Sequence, residues 1–143
     1  MQNTGLEAWR GGVNPWQCDQ MGHLNVSFYV AKFDEATWQL LNAIRLTPSR
    51  LRAEKIGMAG VEQHIEYKRE LYAGDVVTVT SQVLEVRDKV LRFRHEMTND
   101  VTGEVAARML VVAAHLDAVA RKARPFPADV RAKAQSMVAP ELP

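Results

Sequence analysis

The stretch Asp19-Gln20-Met21-Gly22-His23-Leu24-Asn25-Val26 marks the point where the sequence changes its pattern. The segment before it, Val13 to Cys18, is strand-like. After it, apolar residues recur at steps of three and four, which predicts a helix to about Arg45. The residues at these steps are Val26, Tyr29, Val30, Phe33, Thr37, Leu40, Leu41 and Ile44. Asn25 suits the N-cap, because its side-chain oxygen can accept a free backbone N–H of the first turn.

This junction places a carboxylate, Asp19, close to the start of a helix. The first helical turn offers unpaired N–H donors and the positive end of the helix dipole. Such donors can polarise a carbonyl group, while a carboxylate attacks it or activates water. The stretch is therefore suited to acyl transfer.

The chain that follows the helix changes to strand patterning. Thr47-Pro48 has the N-cap and N1 pattern of a short helix that ends near Lys55. Beyond residue 60, four segments predict strands joined by hairpins, at 61–71, 76–86, 90–98 and 105–116. The first and third alternate between apolar and polar residues. One long helix and such strands predict an α+β fold, with an antiparallel sheet wrapped around the helix. The last strand is apolar on both faces, so we expect a helix on one face and a partner subunit on the other.

Bulk properties bound the class of protein. With 143 residues, 47% of them hydrophobic and 24% charged, the chain fits a single domain over 1–143, with a loose leader at 1–8, a core at about 13–127 and a tail at 128–143. The net charge of +1 argues against a nucleic-acid or membrane partner. One cysteine and no hydrophobic signal segment predict a cytoplasmic location.

The motif Asp19-x-x-Gly22-His23-x-Asn25-x-x-x-Tyr29-x-x-x-Phe33-x-x-Ala36 resembles the hotdog-fold acyl-CoA thioesterases of the 4-hydroxybenzoyl-CoA thioesterase-like group. The resemblance continues at Ile65-x-Tyr67, Gly74-Asp75 and Thr102-Gly103-Glu104. The segment from Val61 to Tyr67 is especially similar to the betainyl-CoA (carnitine catabolism) thioesterase branch.

The resemblance implies an enzyme that hydrolyses a small or medium acyl-CoA to the free acid and CoA. Asp19 matches the catalytic carboxylate, as general base or nucleophile, and Val26 matches the position whose backbone N–H polarises the thioester carbonyl. Gly22 would allow close approach, while His23 and Asn25 would fix the turn and orient water or the carboxylate. The family also implies a homodimer or homotetramer with active sites at the subunit interface. No cofactor or metal is expected.

Each site residue also has a structural interpretation. Asp19 could simply stabilise a turn, Asn25 could be only an N-cap, and His23 could be structural. Tyr29, one turn into the helix, matches an aromatic family position and is expected in the core or the pocket wall, where it would contact substrate.

Coenzyme A requires cations for its phosphates, and Arg87, Lys89 and Arg92 surround one predicted turn. An ordinary charged surface is the alternative for these three. A zinc site around His64, between Glu62 and Glu66, is a weaker possibility, because alternation on a strand produces the same pattern.

Two other functions remain open. A hotdog enoyl-CoA hydratase/dehydratase would use both Asp and His, and the turn contains both. A non-catalytic acyl-CoA-binding hotdog protein would bind thioesters without cleaving them.

Overall fold

The computed structural model describes residues 5–140. Its strands are β1 (Leu6–Gly12), β2 (Ile56–Tyr67), β3 (Val76–Val86), β4 (Val90–Asn99), β5 (Val105–Asp117) and β6 (Lys122–Ala123). Its α-helices are α1 (Val26–Ala43), α2 (Pro48–Glu54) and α3 (Ala128–Ser136), and Pro15–Gln17 forms a 3-10 turn. No helix in this part of the chain is both long enough and apolar enough to cross a bilayer.

The strands form one antiparallel sheet in the order β1-β3-β4-β5-β2, with β6 beside β5. The expected run of four hairpins is wrong at its first step, because β2 pairs with β5 and not with β3. The turn signal at Gly74, which has a φ of +93°, predicts a reversal of the chain. This turn signal does not predict which strand pairs with β2. As a result β2 is an edge strand of the described sheet.

The long helix α1 packs its apolar face into the sheet, as the predicted hotdog fold requires. Phe33, Ala36 and Leu40 are fully buried there, and their spacing follows one face of a helix. On β5 the inward-facing Met109, like its alternate neighbours, is buried, while the outward-facing residues are only half-buried. A covering for that outer face by a partner subunit stays a prediction.

A buried polar cluster fastens α1 to the sheet. His95 of β4 is fully buried between Phe33 and Phe93. The Thr37 hydroxyl donates to the Phe33 carbonyl at 3.1 Å, so it accepts from Nε2–H of His95 at 2.8 Å. The Ser81 hydroxyl then donates to Nδ1 at 2.7 Å. Every polar atom of the neutral ring is paired, which is what burial requires.

Four predicted boundaries need correction. The strand expected at 61–71 begins and ends earlier, at Ile56 and Tyr67. The leader expected at 1–8 already contains the start of β1 at Leu6 (residues 1–4 lie outside the described part). The strand expected from Val13 to Cys18 contains the 3-10 turn, because Pro15 has no N–H to donate to a strand. The segment assigned to the tail forms α3, whose Val130 and Ala134 are buried in the core. The apolar spacing along α3 is too weak for the sequence to predict this packing.

Candidate active site

The turn before α1 is closed by local hydrogen bonds. The Asp19 amide donates to the His23 carbonyl at 3.1 Å, and the Gly22 amide donates to the Asp19 carbonyl at 2.9 Å. Gly22 has a φ of +87°, which favours glycine, and no atom lies within 4 Å of where a Cβ would be. Within the chain, Gly22 is therefore required for its backbone conformation. The Leu24 amide anchors the turn to the Leu71 carbonyl at 2.7 Å.

Asn25 joins the carboxylate to the helix, as its predicted N-cap role requires. Its side-chain oxygen accepts from the Ser27 amide at 3.0 Å, and its Nδ2 donates to Oδ2 of Asp19 at 3.0 Å. The other Asp19 oxygen accepts from the Met21 amide at 2.9 Å. These bonds, the one from Asn25 first, lower the pKa of Asp19 below its ordinary value, and His23 adds a smaller electrostatic contribution. Asp19 is therefore ionised at neutral pH.

The first turn of α1 retains one N–H that no other described residue accepts. The Ser27 and Phe28 amides donate to Asn25. Val26 is the first residue of α1, and its amide donates to no described residue. The residue as a whole is 54% exposed. The amide at the position predicted to polarise a carbonyl is thus available.

A cavity of about 340 Å³ adjoins this turn. Its walls are His23, Leu24, Val26, Tyr29, Tyr67, Lys68, Arg69 and Glu70. Tyr29 is buried, donates to the Arg69 carbonyl at 3.2 Å, and meets Tyr67 edge-to-face with 5.2 Å between ring centroids. Desolvation raises the pKa of Tyr29 to about 12, so the phenol stays neutral. Asp19 is not one of the wall residues and lies beside the cavity, across the N-cap.

His23 faces an acid that the sequence did not single out. Its Nε2 lies 3.8 Å from Oε1 of Glu70, and its Nδ1 lies 3.3 Å from the Leu24 carbonyl. The Tyr72 hydroxyl donates to Glu70 at 2.8 Å. No hydrogen bond between the His23 ring and the Asp19 carboxylate occurs in the described residues. The two are neighbours in the turn without forming a dyad.

The predicted cations Arg87, Lys89 and Arg92 are not brought to this cavity within one chain. They lie at the β3–β4 turn, where Glu85 pairs with Arg87 and with Arg92 at 2.5 and 3.0 Å. None of the three lines the cavity.

Sequence reasoning missed the cations that do line the cavity. Lys68 and Arg69 follow β2 directly, and their carboxylate partners are Glu66 at 3.5 Å and Glu104 at 2.7 Å. Both cations are exposed. The sequence offered one signal for these two cations: they directly follow Tyr67, a residue of the family motif.

The described residues contain no group of three or more His, Cys, Asp or Glu side chains arranged to hold a metal ion. The zinc possibility at His64 therefore has no support. His64 lies exposed on β2, between Glu62 and Glu66 on the outer face of the sheet.

Residues 13–134 match the model of the thioesterase-like superfamily. The chain belongs to this family. It is 30% identical over 121 residues to an L-carnitine dehydrogenase/betainyl-CoA thioesterase of Rhizobium meliloti, covering 85% of this chain and 24% of that protein. It is 27% identical over 127 residues to the long-chain acyl-CoA thioesterase FadM of Escherichia coli, covering 88% of this chain and 95% of FadM.

The fold is shared with solved structures. A Staphylococcus aureus protein solved in complex with CoA superposes with a TM-score of 0.88 at 20% identity, covering 94% of this chain and 86% of that one. At that identity the likeness shows the hotdog fold alone. Family membership confirms the predicted enzyme class, thioester hydrolase.

Proposed function

We propose that this chain hydrolyses small or medium acyl-CoA thioesters to the free acid and CoA. The observation that carries the proposal is the unused Val26 amide on the wall of the 340 Å³ cavity, with an ionised Asp19 held by the same N-cap residue. A thioester carbonyl bound at this amide would lie between an oxyanion donor and a carboxylate.

The reaction follows from these two groups. The Val26 N–H and the positive end of α1 stabilise the oxyanion that forms on the carbonyl oxygen. Asp19 either attacks the carbonyl carbon, giving a mixed anhydride that water then hydrolyses, or it removes a proton from the attacking water. In both routes CoA leaves as the thiolate and takes up a proton from solvent.

Space for the acyl group lies along α1. Two cavities of about 330 and 130 Å³ share Asp34, Thr37 and Gln63, so they form one groove between α1 and β2. The Ser27 end of this groove is the N-terminal end of the helix. We place the acyl chain in this groove.

For the CoA phosphates, Lys68 and Arg69 have the better position, because they line the cavity. Arg87, Lys89 and Arg92 could contribute only across a subunit interface. Changing Lys68 or Arg69 to Met should raise KM severalfold and weaken its dependence on salt. The matched change Lys89→Met should leave KM unaltered. A KM increase in Lys89→Met would instead favour a phosphate site formed by Arg87, Lys89 and Arg92 of a partner subunit.

The edge strand β2 supports a homodimer. It has 12 residues and bonds only to β5 in the described sheet. A long unpaired edge tends to pair with another chain. Two copies joined through β2 would bring a partner close to Tyr67 and the cavity, and further pairing would give a tetramer. Light scattering on the purified protein and on Val61→Pro would test this.

A thiol-release assay over a series of acyl-CoA esters, from betainyl-CoA to long-chain esters, tests the function. Release of CoA from short and medium esters is the expected result. Hydration of an enoyl-CoA without release of thiol would favour the hydratase, and tight binding without turnover would favour a binding protein.

Single turnover in water labelled with oxygen-18 tests the nucleophilic role of Asp19. If Asp19 attacks and water then opens the mixed anhydride at the Asp19 carbonyl, the product receives an unlabelled oxygen from Asp19 and the Asp19 carboxylate takes up the label. Label in the product alone fits a general base, or an anhydride that water opens at the acyl carbon, and trapping the anhydride with hydroxylamine separates these two.

A further inference from the structure

Among the described residues, Lys32 of α1 is a buried cation without a carboxylate partner. It is 5% exposed, whereas a lysine is almost never fully buried unless it is paired. None of the ion pairs of the described residues includes it, and the charge of Glu35 on the same helix only partly offsets the effect of burial on the pKa of Lys32. Burial lowers the pKa of Lys32 below its ordinary value. The fold thus bears a desolvation cost at this position.

Within residues 5–140, the ammonium group contacts only uncharged groups, and all of them precede the Asp19 turn. Nζ lies 4.7 Å from the ring centroid of Trp9 on β1, within cation–π range. It donates to the Gly12 carbonyl at 3.4 Å and to Oε1 of Gln17 at 3.3 Å. Lys32 therefore ties α1 to β1 and to the 3-10 turn.

Gln17 connects this contact to the active-site turn. Its side-chain oxygen also accepts from the Asn14 amide at 3.0 Å, so the amide group is held from two sides. Its backbone carbonyl accepts from the Asn25 amide at 2.9 Å. Asn25 in turn donates to Asp19. A continuous series of hydrogen bonds thus runs from Lys32 through Gln17 and Asn25 to the carboxylate.

We propose that Lys32 is a positioning residue for thioester cleavage: it holds Gln17, and through Gln17 it holds Asn25 and Asp19 in reactive geometry. The inference rests on the proposed function. It explains why a charge is kept in the core where an apolar residue of similar length would fit at lower cost.

The variant Lys32→Met separates positioning from simple stability. Methionine fills most of the space, and replacing a buried charge by an apolar side chain is often neutral or stabilising. A structural role would lower Tm and leave kcat of the folded protein unchanged. A positioning role lowers kcat by about tenfold or more, since small displacements of catalytic groups reduce rates steeply. KM should then stay within about twofold.

The control is Lys133→Met, an exposed lysine on α3. The expected result is a loss of kcat in Lys32→Met alone, with Tm equal to or above that of the unaltered protein. An unchanged kcat overturns the proposal, as does a loss of kcat that the control reproduces. A loss that follows the fall in Tm also overturns it.

Two changes at Gln17 keep the test decisive if Lys32→Met does not fold. Gln17→Met removes the acceptor, and Gln17→Glu keeps it and adds a charge that pairs with Lys32. We expect Gln17→Glu to retain a larger share of kcat than Gln17→Met. Equal values in the two variants would overturn the proposal.

A spectroscopic measurement separates this inference from the proposed function. The side-chain NH₂ signals of Asn25 in a nitrogen-15 spectrum should shift in Lys32→Met and not in Lys133→Met, whether or not the protein cleaves a thioester. Failure of all acyl-CoA esters to release thiol would refute the function while leaving this link intact. Unshifted Asn25 signals would refute the link.

Discussion

Two polar clusters contact α1, one at its N-terminus and one under its middle. The titratable side chain of the first cluster is ionised, and that of the second is neutral. The Asp19–Asn25 cluster is formed by residues six apart in sequence, is only partly buried, and holds its carboxylate ionised. The Thr37–His95–Ser81 cluster joins residues 58 and 14 apart, has His95 and Ser81 fully buried, and holds its imidazole neutral. Desolvation without a compensating charge lowers the pKa of His95 to about 4.

The difference shows that one helix can hold a reactive charge at its N-terminus and a neutral, stabilising cluster under its middle. Donors aimed at Asp19 from the turn and the N-cap stabilise a charge that can react. Donors and acceptors around His95 are matched to the neutral ring, so the cluster stabilises the fold and offers no reactive charge. We expect changes in the first cluster to affect rates and loss of the buried His95 ring to affect unfolding.

The largest effect is expected for Asp19→Asn. Loss of the reacting carboxylate should lower kcat/KM by about a hundredfold to ten-thousandfold, with little change in unfolding because Asp19 lies near the surface. Thiol release and urea denaturation measure the two quantities. Asp88→Asn, at the distant β3–β4 turn, is the control, and full activity of Asp19→Asn would break the comparison.

Next is His95→Ala, which removes a buried ring and leaves the Thr37 and Ser81 hydroxyls short of partners. The expected loss is about 3 to 5 kcal/mol of unfolding free energy. Denaturant titration measures it. The exposed His64→Ala should change stability by less than about 0.5 kcal/mol. Equal losses in the two variants would mean that the His95 contacts do not stabilise the fold.

Acidification should act through the same ring. An unfolded histidine has a pKa near 6.5, above the folded value of about 4, so the stabilisation is complete above pH 6.5 and is lost as the pH falls toward 4. The total is on the order of 3 kcal/mol. Urea titrations at pH 7, 6 and 5 should show the decline, and the His95 ring signals should remain those of the neutral form at pH 5.

The charge of Asp19 should not change over this pH range. Its pKa is lowered, so its ionised form persists over that whole range and is lost only below its ordinary value of 3.8. Between pH 7 and 5, activity should therefore follow the folded fraction. A loss of kcat between pH 7 and 5 in protein that is still folded would contradict this assignment.

The smallest and sharpest test compares two changes at Asn25. Asn25→Ala removes the N-cap and should cost about 1 kcal/mol of stability. Asn25→Ser keeps a capping oxygen and loses the donor to Asp19. We expect both to lose about tenfold in kcat, since both free the carboxylate. Retained kcat in Asn25→Ser would show that Asn25 acts only as a cap.

The sequence by itself determined the features that depend on neighbours in the chain. Asn25 as the N-cap, the helix after it and the alternation of Leu91, Phe93, His95 and Met97 all follow from short-range rules. The Asp19 motif pointed to the correct family for the same reason, because its residues are fixed by one turn and the helix it opens. Lys55, which ends α2 in the left-handed conformation, was also placed correctly.

Only the tertiary structure decided which distant residues meet. It brought Lys68, Arg69 and Glu70 to the cavity, left Arg87 and Lys89 at the far end of β3, and placed β2 at the edge of the sheet. The partners of His95 are equally invisible in the sequence. Hydrogen bonds over a few residues are encoded in local spacing, whereas strand order and helix–sheet packing depend on how the whole chain buries its apolar surface.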